Sequence, residues 1–232
     1  IMKKIFIKLC KLLGYEILDQ NNFISPTLGK QLNEELSILN EKSIVLPLGE
    51  VKITKKVNSI LIIFRMNTDV EIWDQNRKRL FEYPKIEYTK RSLNSLVKSI
   101  SFLKDKYPTM IVKTIIVDDN SNIKNLNMVK KVIDGCNIEI INLDYSKYQN
   151  KISEQKNKET FANLASLLKS FEIGKDANED LIFFIEDDYL HFEPMLEEMV
   201  ASYERIASQM NKDIFMCPSD YPYLYMNNIK TN

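Results

Sequence analysis

The stretch that constrains this chain most is Leu181-Ile182-Phe183-Phe184-Ile185-Glu186-Asp187-Asp188-Tyr189-Leu190-His191. Five consecutive apolar residues of β-branched, leucine and aromatic type predict a strand buried on both faces of a parallel sheet. Three carboxylates follow without a break, so a dry strand opens into dense negative charge. In open α/β sheets ligands bind at the carboxyl ends of the strands. Carboxylates this close repel one another unless protons, cations or hydrogen bonds compensate. A divalent cation, Mg²⁺ or Mn²⁺, prefers hard oxygen ligands and would answer that need. The plainer reading is an acidic strand end that caps a helix beginning near Glu193.

A second acidic strand end weighs against the plainer reading. Ile111 to Val117 predicts another buried strand, and it ends in Asp118-Asp119-Asn120-Ser121. Strands are also expected at Ser59–Phe64, Ile138–Leu143 and, briefly, Asp213–Cys217. Helices are expected over Glu87–Lys106, Ile123–Ile133, Glu159–Ile173 (Phe161, Leu164, Leu168 and Phe171 inward, Gly174 near its C-cap) and Pro194–Met210. The β-α alternation argues for a mostly parallel sheet with helices on both faces. Parallel neighbours would bring both acidic clusters to one edge.

The main domain is expected over 57–232, preceded by a helical segment and linker over 1–56. Within that segment Leu28–Asn40 has helical spacing, and Ser43–Ile53 reads as an edge strand or a linker. Val70–Pro84, with Trp73, Arg77, Arg79 and Phe81, has no clear period. Loops of that length in compact domains are usually functional or flexible. Tyr145–Lys158 is polar and lysine-rich and reads as a solvated loop. At the start, Lys3, Lys4, Lys8 and Lys11 lie among Ile5, Phe6, Ile7, Leu9, Leu12 and Leu13. This predicts a basic amphipathic helix that either lies on an anionic membrane surface or docks on its own domain.

Composition narrows the choices. Lys plus Arg (32) balances Asp plus Glu (32), so no global field favours nucleic acid. Cys10, Cys136 and Cys217 lie far apart, and one His excludes the usual zinc constellations. Reduced thiols and the lack of an apolar run near the ~20 residues of a membrane span point to a cytoplasmic protein, peripheral on the inner membrane face if residues 3–13 bind lipid. With 5 glycines and neither GxGxxG nor GxxxxGK[ST], a bound nucleotide must be held by carboxylates and a metal.

Four pieces in order carry a family resemblance: the strand opening into Arg65-Met66-Asn67-Thr68-Asp69, the helical Arg91-Ser92-Leu93-Asn94-Ser95-Leu96, Ile115-Ile116-Val117-Asp118-Asp119-Asn120-Ser121, and Phe183-Phe184-Ile185-Glu186-Asp187-Asp188. From Val57 to Tyr225 the chain resembles the nucleotide-binding half of a GT-A glycosyltransferase of the family 2 type. The third piece is similar to that family's VVDDGS segment, and the fourth sits where the family has its DxD motif. The resemblance implies a nucleotide-diphosphate sugar donor, usually a uridine diphosphate sugar, a divalent metal on the diphosphate, and a glycan or lipid-linked acceptor in bacterial surface glycan synthesis. It places Arg65, Asn67, Asp118, Asp119, Ser121, Glu186 and Asp187 around the nucleotide, with Asp118 against the base. Asp188 and Glu186 would face the metal. Glu186 in place of the first Asp, and the insertion at Val70–Pro84, depart from the family pattern.

Other candidates have open roles. His191 is either a metal-site residue or an ordinary satisfied one. Arg65 and Arg79 are phosphate partners or surface charges. Tyr221, Tyr223 and Tyr225 either stack on an acceptor or pack in the core. Asp119, Asn120 and Ser121 are ligand contacts, helix caps, or both. Asp220 is the one late carboxylate with an acid/base look. Only 44 residues (232 − 188) follow Asp188. The expectation is therefore a donor side without most of an acceptor side, poor transfer, and an exposed apolar surface beside the 181–185 strand. Two rival functions use the same acids: a binding module without turnover, and a Mg²⁺-dependent phosphoryl-transfer or receiver-like domain, which would want a Lys ending a later strand.

Overall fold

The computed structural model describes residues 52–69, 83–152 and 158–218, together with Phe6, Leu9, Cys10, Leu12 and Leu13. Residues 28–40, most of 43–53 and of 70–84, Arg79, Asp220 and Tyr221 to Tyr225 lie outside the described residues. The chain divides into two compact units: Lys56–Glu204, and Ile1–Lys55 with Arg205–Asn232. In the latter, the Ser208 Oγ accepts the backbone N–H groups of Thr54 and Lys55, each at 2.9 Å, and the Lys55 ammonium lies 3.0 Å from Asp213.

In the larger unit β1 (Ser59–Met66), α1 (Lys85–Lys106), β2 (Ile111–Asp118), α2 (Ile123–Val132), β3 (Ile138–Asn142), α3 (Lys158–Lys175), β4 (Leu181–Glu186) and α4 (Met195–Met210) follow in order, α4 running on past the unit's end. The four strands form one sheet in the order β3-β2-β1-β4, and every pairing is parallel. Parallel strands need crossovers, and each helix here supplies one or flanks one.

Alternation along β1 sorts the core into two layers. Ile60, Ile62, Phe64 and Met66 pack with Leu93, Leu96 and Leu103 of α1, Val129 of α2, and Leu196 and Val200 of α4. Leu61 and Ile63 face the other way with Ile115 and Val117, against Ile173 of α3. Helices α1, α2 and α4 thus share one face and α3 takes the other. The chain changes face between β3 and β4, so β1 and β4 flank a topological switch point. Asp180 fastens the opposite end of this strand pair: its carboxylate accepts the N–H groups of Asn58 (2.7 Å) and Ser59 (3.1 Å).

Several expectations change. Leu181–Ile185 is not buried on both faces: β4 is an edge strand among the described residues, with Ile182 38% and Phe184 41% exposed. Phe171 and Leu164 of α3 are likewise exposed rather than inward, with Phe171 edge-on to Phe184 at 5.3 Å. Gly174 is the last residue but one of α3, near its C-cap as expected, and a Cβ there would meet the Phe184 ring at 3.0 Å. The absent side chain lets helix and edge strand approach. Asp213–Cys217 forms no strand.

The 145–158 stretch is not simply a solvated loop. Tyr145–Lys147 is a single 3-10 turn, and Tyr148 and Ile152 are buried with Leu143, Phe161 and Ala165 in a small core of their own. The Tyr148 hydroxyl donates to Glu172 at 2.8 Å, and Lys151 pairs with the same carboxylate at 2.6 Å. The polar, lysine-rich sequence hides one buried ring among solvated neighbours.

The two faces of β4 predict unequal sensitivity. Ile185→Ala, on the covered face of β4, should lower unfolding free energy by about 3 kcal/mol, within the usual range for emptying a sealed core position. Phe184→Ser should cost less than about 1 kcal/mol, because much of that ring already meets water. Urea denaturation of both variants checks this, and equal losses would mean that β4 is covered on both sides.

Candidate functional site

Strand register builds the site. Arg65 lies opposite Glu186 and opposite Val117, and Met66 opposite Asp118. One residue further, the turns after β1, β2 and β4 emerge together at the carboxyl edge, on both sides of the switch point. A polar crevice is expected in this position of an open α/β sheet.

On the β1–β2 side, Asn67 donates its amide to Asp119 at 2.8 Å, and the Tyr145 hydroxyl donates to the other Asp119 oxygen. Burial pushes the Tyr145 hydroxyl up to about 12, and the Asp119 carboxylate that accepts its proton adds to this. Tyr145 therefore holds its proton and stays a donor. Asp69 gathers the next layer: it accepts from the backbone N–H of Asn122 (2.7 Å) and from the amide of Asn125 (2.8 Å), and its own N–H goes to Asn67 Oδ1 at 3.0 Å. Asn122 is the N-cap of α2, accepting from Asn125 N at 2.9 Å. The cap was expected among Asp119, Asn120 and Ser121, so it lies one residue later. Asn120 instead adopts φ 56°, which Asn tolerates better than most residues, and its amide reaches the Leu143 carbonyl at 3.1 Å.

Asp118 lies deepest of these groups. Its carboxylate is 0% exposed and accepts the Ser121 N–H at 3.1 and 3.4 Å. Burial raises its proton affinity, against the lowering pull of Ser121. Ser121 Oγ in turn accepts the Thr68 N–H at 3.1 Å. Asp118 thus sits inside the turn that carries Asp119 and Asn120, and Asp119 beside it is buried as well.

On the β4 side the three carboxylates part company. Asp187 is buried: Lys85 of α1 meets it at 2.6 Å, Thr89 Oγ1 donates at 2.8 Å and the Asn67 N–H at 3.2 Å. Burial pushes its carboxyl up, and the Lys85 ammonium and Thr89 hydroxyl pull it down. Asp187 thus ties the end of β4 to α1 and to the turn after β1. Glu186 and Asp188 remain outward, each side chain 56% exposed. Arg65 reaches Glu186 at 2.6 Å and Asn163 at 3.0 Å, so it is engaged with protein groups rather than open for phosphate. Lys85 also stands 3.8 Å from Asp188. Further along, Ser95 Oγ accepts the His191 N–H at 3.0 Å and the buried Ser99 Oγ accepts the Leu196 N–H at 3.1 Å. The second contact satisfies an orphan donor at the start of α4.

Among the described residues no group of three or more His, Cys, Asp or Glu side chains is placed to hold a metal by itself. The outward pair Glu186 and Asp188 does fit a Mg²⁺- or Mn²⁺-type site of one or two carboxylates completed by water and substrate phosphates. His191 lies half-buried with no hydrogen-bond partner for Nε2, and burial pushes its ring down to about 4.

Lys85, Thr89, Asp69, Asn122, Asn125 and Tyr145 are site residues that sequence reasoning passed over. Asn122 had a signal, since Asn before an apolar helical run is a preferred cap. Lys85, one lysine among many, had none.

The fold and site define a Rossmann-like α/β domain with a polar, partly acidic sheet edge at its switch point. No family model matches the sequence, and no curated protein matches it. Among solved structures the chain is similar to S. aureus TarS residues 1–349 and to a longer S. aureus TarS structure, each at 18% identity with a TM-score of 0.36 over 62% of this chain. It spans 31% and 19% of those two chains, less than a third of either.

Two predictions follow from the buried groups. Lys85→Met leaves the Asp187 charge buried and unpaired, and should cost about 3–5 kcal/mol in urea denaturation. Lys90→Met, which removes only the half-exposed pair with Glu87 at 2.8 Å, should cost under about 0.5 kcal/mol. The second concerns the single imidazole, whose NMR titration should centre near 4 instead of the ordinary ~6.5. The unfolded chain binds that proton first, so this contribution to stability is present above ~6.5 and is lost as pH falls toward 4. A midpoint at the ordinary value would place the ring in water.

Proposed function

We propose that the crevice binds a nucleotide-diphosphate sugar, with a uridine diphosphate as the nucleotide, and that the protein is a metal-dependent glycosyltransferase. Its acceptor is a glycan or a lipid-linked sugar in bacterial surface-glycan synthesis. The observation that carries the reading is the convergence on one sheet edge of two unlike groups. Outward carboxylates Glu186 and Asp188 lie on one side of the switch point, and the amide-rich turn of Asn67, Asp119 and Asn120 lies on the other.

Each side suits one part of such a donor. The nucleoside has N–H and carbonyl groups, which the Asn67–Asp119 pair and its neighbours can match with hydrogen bonds. Asp118 and Ser121 act there through the shape of the turn. The diphosphate is anionic, so bare carboxylates repel it unless a cation intervenes; Asp188, with Glu186 beside it, would hold that cation. A divalent ion in this place stabilises charge on the departing diphosphate. Arg65 orients Glu186, and Lys85 keeps the Asp187 charge from adding to the repulsion. His191 stands near enough in sequence to contribute to the same edge.

Asp188→Ala should weaken UDP binding in Mn²⁺ by tenfold or more, roughly the 1.4 kcal/mol of one lost charged contact. Because Asp188 is outward, the denaturation midpoint should barely move. Isothermal calorimetry with UDP, with and without Mn²⁺, decides it: unchanged affinity in the variant contradicts the assignment. Loss of one nucleotide-sugar from a mixture, followed by mass spectrometry and abolished by a chelator, would separate transfer or hydrolysis from binding alone.

A further inference from the structure

We infer that the N-terminal segment is a docking face for an anionic lipid surface, a role that stands apart from the crevice and from its proposed chemistry. Phe6, Leu9, Cys10 and Leu12 are helical, and the Leu13 N–H closes a turn onto the carbonyls of Leu9 and Cys10 at 3.1 Å. The large apolar side chains here face water: Phe6 is 59%, Leu9 56%, Leu12 87% and Leu13 64% exposed. Contiguous exposed leucine and phenylalanine mark an interaction surface.

Charge and pattern identify the occupant. Residues 1–13 contain apolar residues and lysine and nothing else, and the first acid is Glu16. At helical spacing Phe6, Leu9 and Leu13 fall in one stripe (i, i+3, i+7), and Lys4, Lys8 and Lys11 recur in another (i, i+4, i+7). Apolar residues enter the acyl boundary while lysines meet anionic headgroups, which is how an interfacial helix binds. An acidic protein groove would also attract the lysines. A face whose sole polar groups are lysines, however, carries no directional hydrogen bonding to select a shaped partner, and suits a surface of repeated headgroups. An interfacial helix of this kind lies on the bilayer rather than across it. Among the described residues no helix is long and apolar enough to cross it.

The test is co-sedimentation of the whole chain with phosphatidylcholine vesicles, and with vesicles that also contain phosphatidylglycerol. Binding should require the anionic lipid and decline as salt rises. A Lys4→Ser/Lys8→Ser/Lys11→Ser variant should bind about 10²-fold more weakly, near fivefold for each lysine lost. Leu9→Ser/Leu12→Ser should weaken binding without changing its salt dependence. Both variants should keep the denaturation midpoint of the parent chain, so that lost binding is not lost folding. Equal binding to uncharged vesicles, or unaltered binding by the lysine variant, overturns the inference. Capture by soluble polyglutamate with no vesicle binding also overturns it, in favour of an acidic macromolecule.

Discussion

The buried contact between Lys85 and Asp187 holds the functional edge together. Asp187 is the second residue past the apolar core of β4, Lys85 opens α1, and the Asn67 N–H that also reaches Asp187 belongs to the turn after β1. One carboxylate thus binds three elements that the chain reaches at widely separated positions. Replacing such a pair by apolar residues can be neutral, but breaking it on one side leaves a charge stranded in a dry interior. The pair also sorts the acidic triplet: with Asp187 turned inward and neutralised, Glu186 and Asp188 can face outward without a third like charge between them.

The β2 side is held by hydrogen bonds rather than by charge pairing. Asp118, Ser121 and Thr68 form a buried relay, and Asp69 with Asn122 and Asn125 forms a second layer outside it. Amides and hydroxyls dominate, and in a site of low dielectric a fully paired network is rigid. A rigid turn fixes where Asn67 and Asp119 point. The two sides of the edge therefore differ: one holds oriented dipoles, and the other presents outward charge.

Much of this was legible in the sequence. Uninterrupted apolar runs at Ile60–Phe64 and Ile115–Val117 read as parallel strands whose polar endings meet at one edge, and both are central in the sheet. The run at Leu181–Ile185 looks the same on paper, yet β4 lies at the sheet edge with Ile182 and Phe184 exposed. Composition cannot separate the two cases, because neighbours in space decide which faces are covered. The acidic triplet was visible as a site, but which carboxylate turns inward depended on Lys85, more than a hundred residues away. Tyr145 and the buried Tyr148 were hidden by their lysine-rich surroundings, since one or two inward rings leave no period. Asp118 looked like a ligand because it ends a strand, whereas its burial follows from the tight turn through Ser121.

The central claim is that the turns after β1, β2 and β4 form one nucleotide-diphosphate site. Hydrogen exchange of the backbone amides, with and without UDP and Mn²⁺, addresses it directly. The account predicts slowed exchange together in residues 67–69, 118–122 and 186–191, and no change at the far end of the sheet around Asn58, Ser59 and Asp180. Protection confined to a single turn, or located elsewhere in the chain, would contradict it.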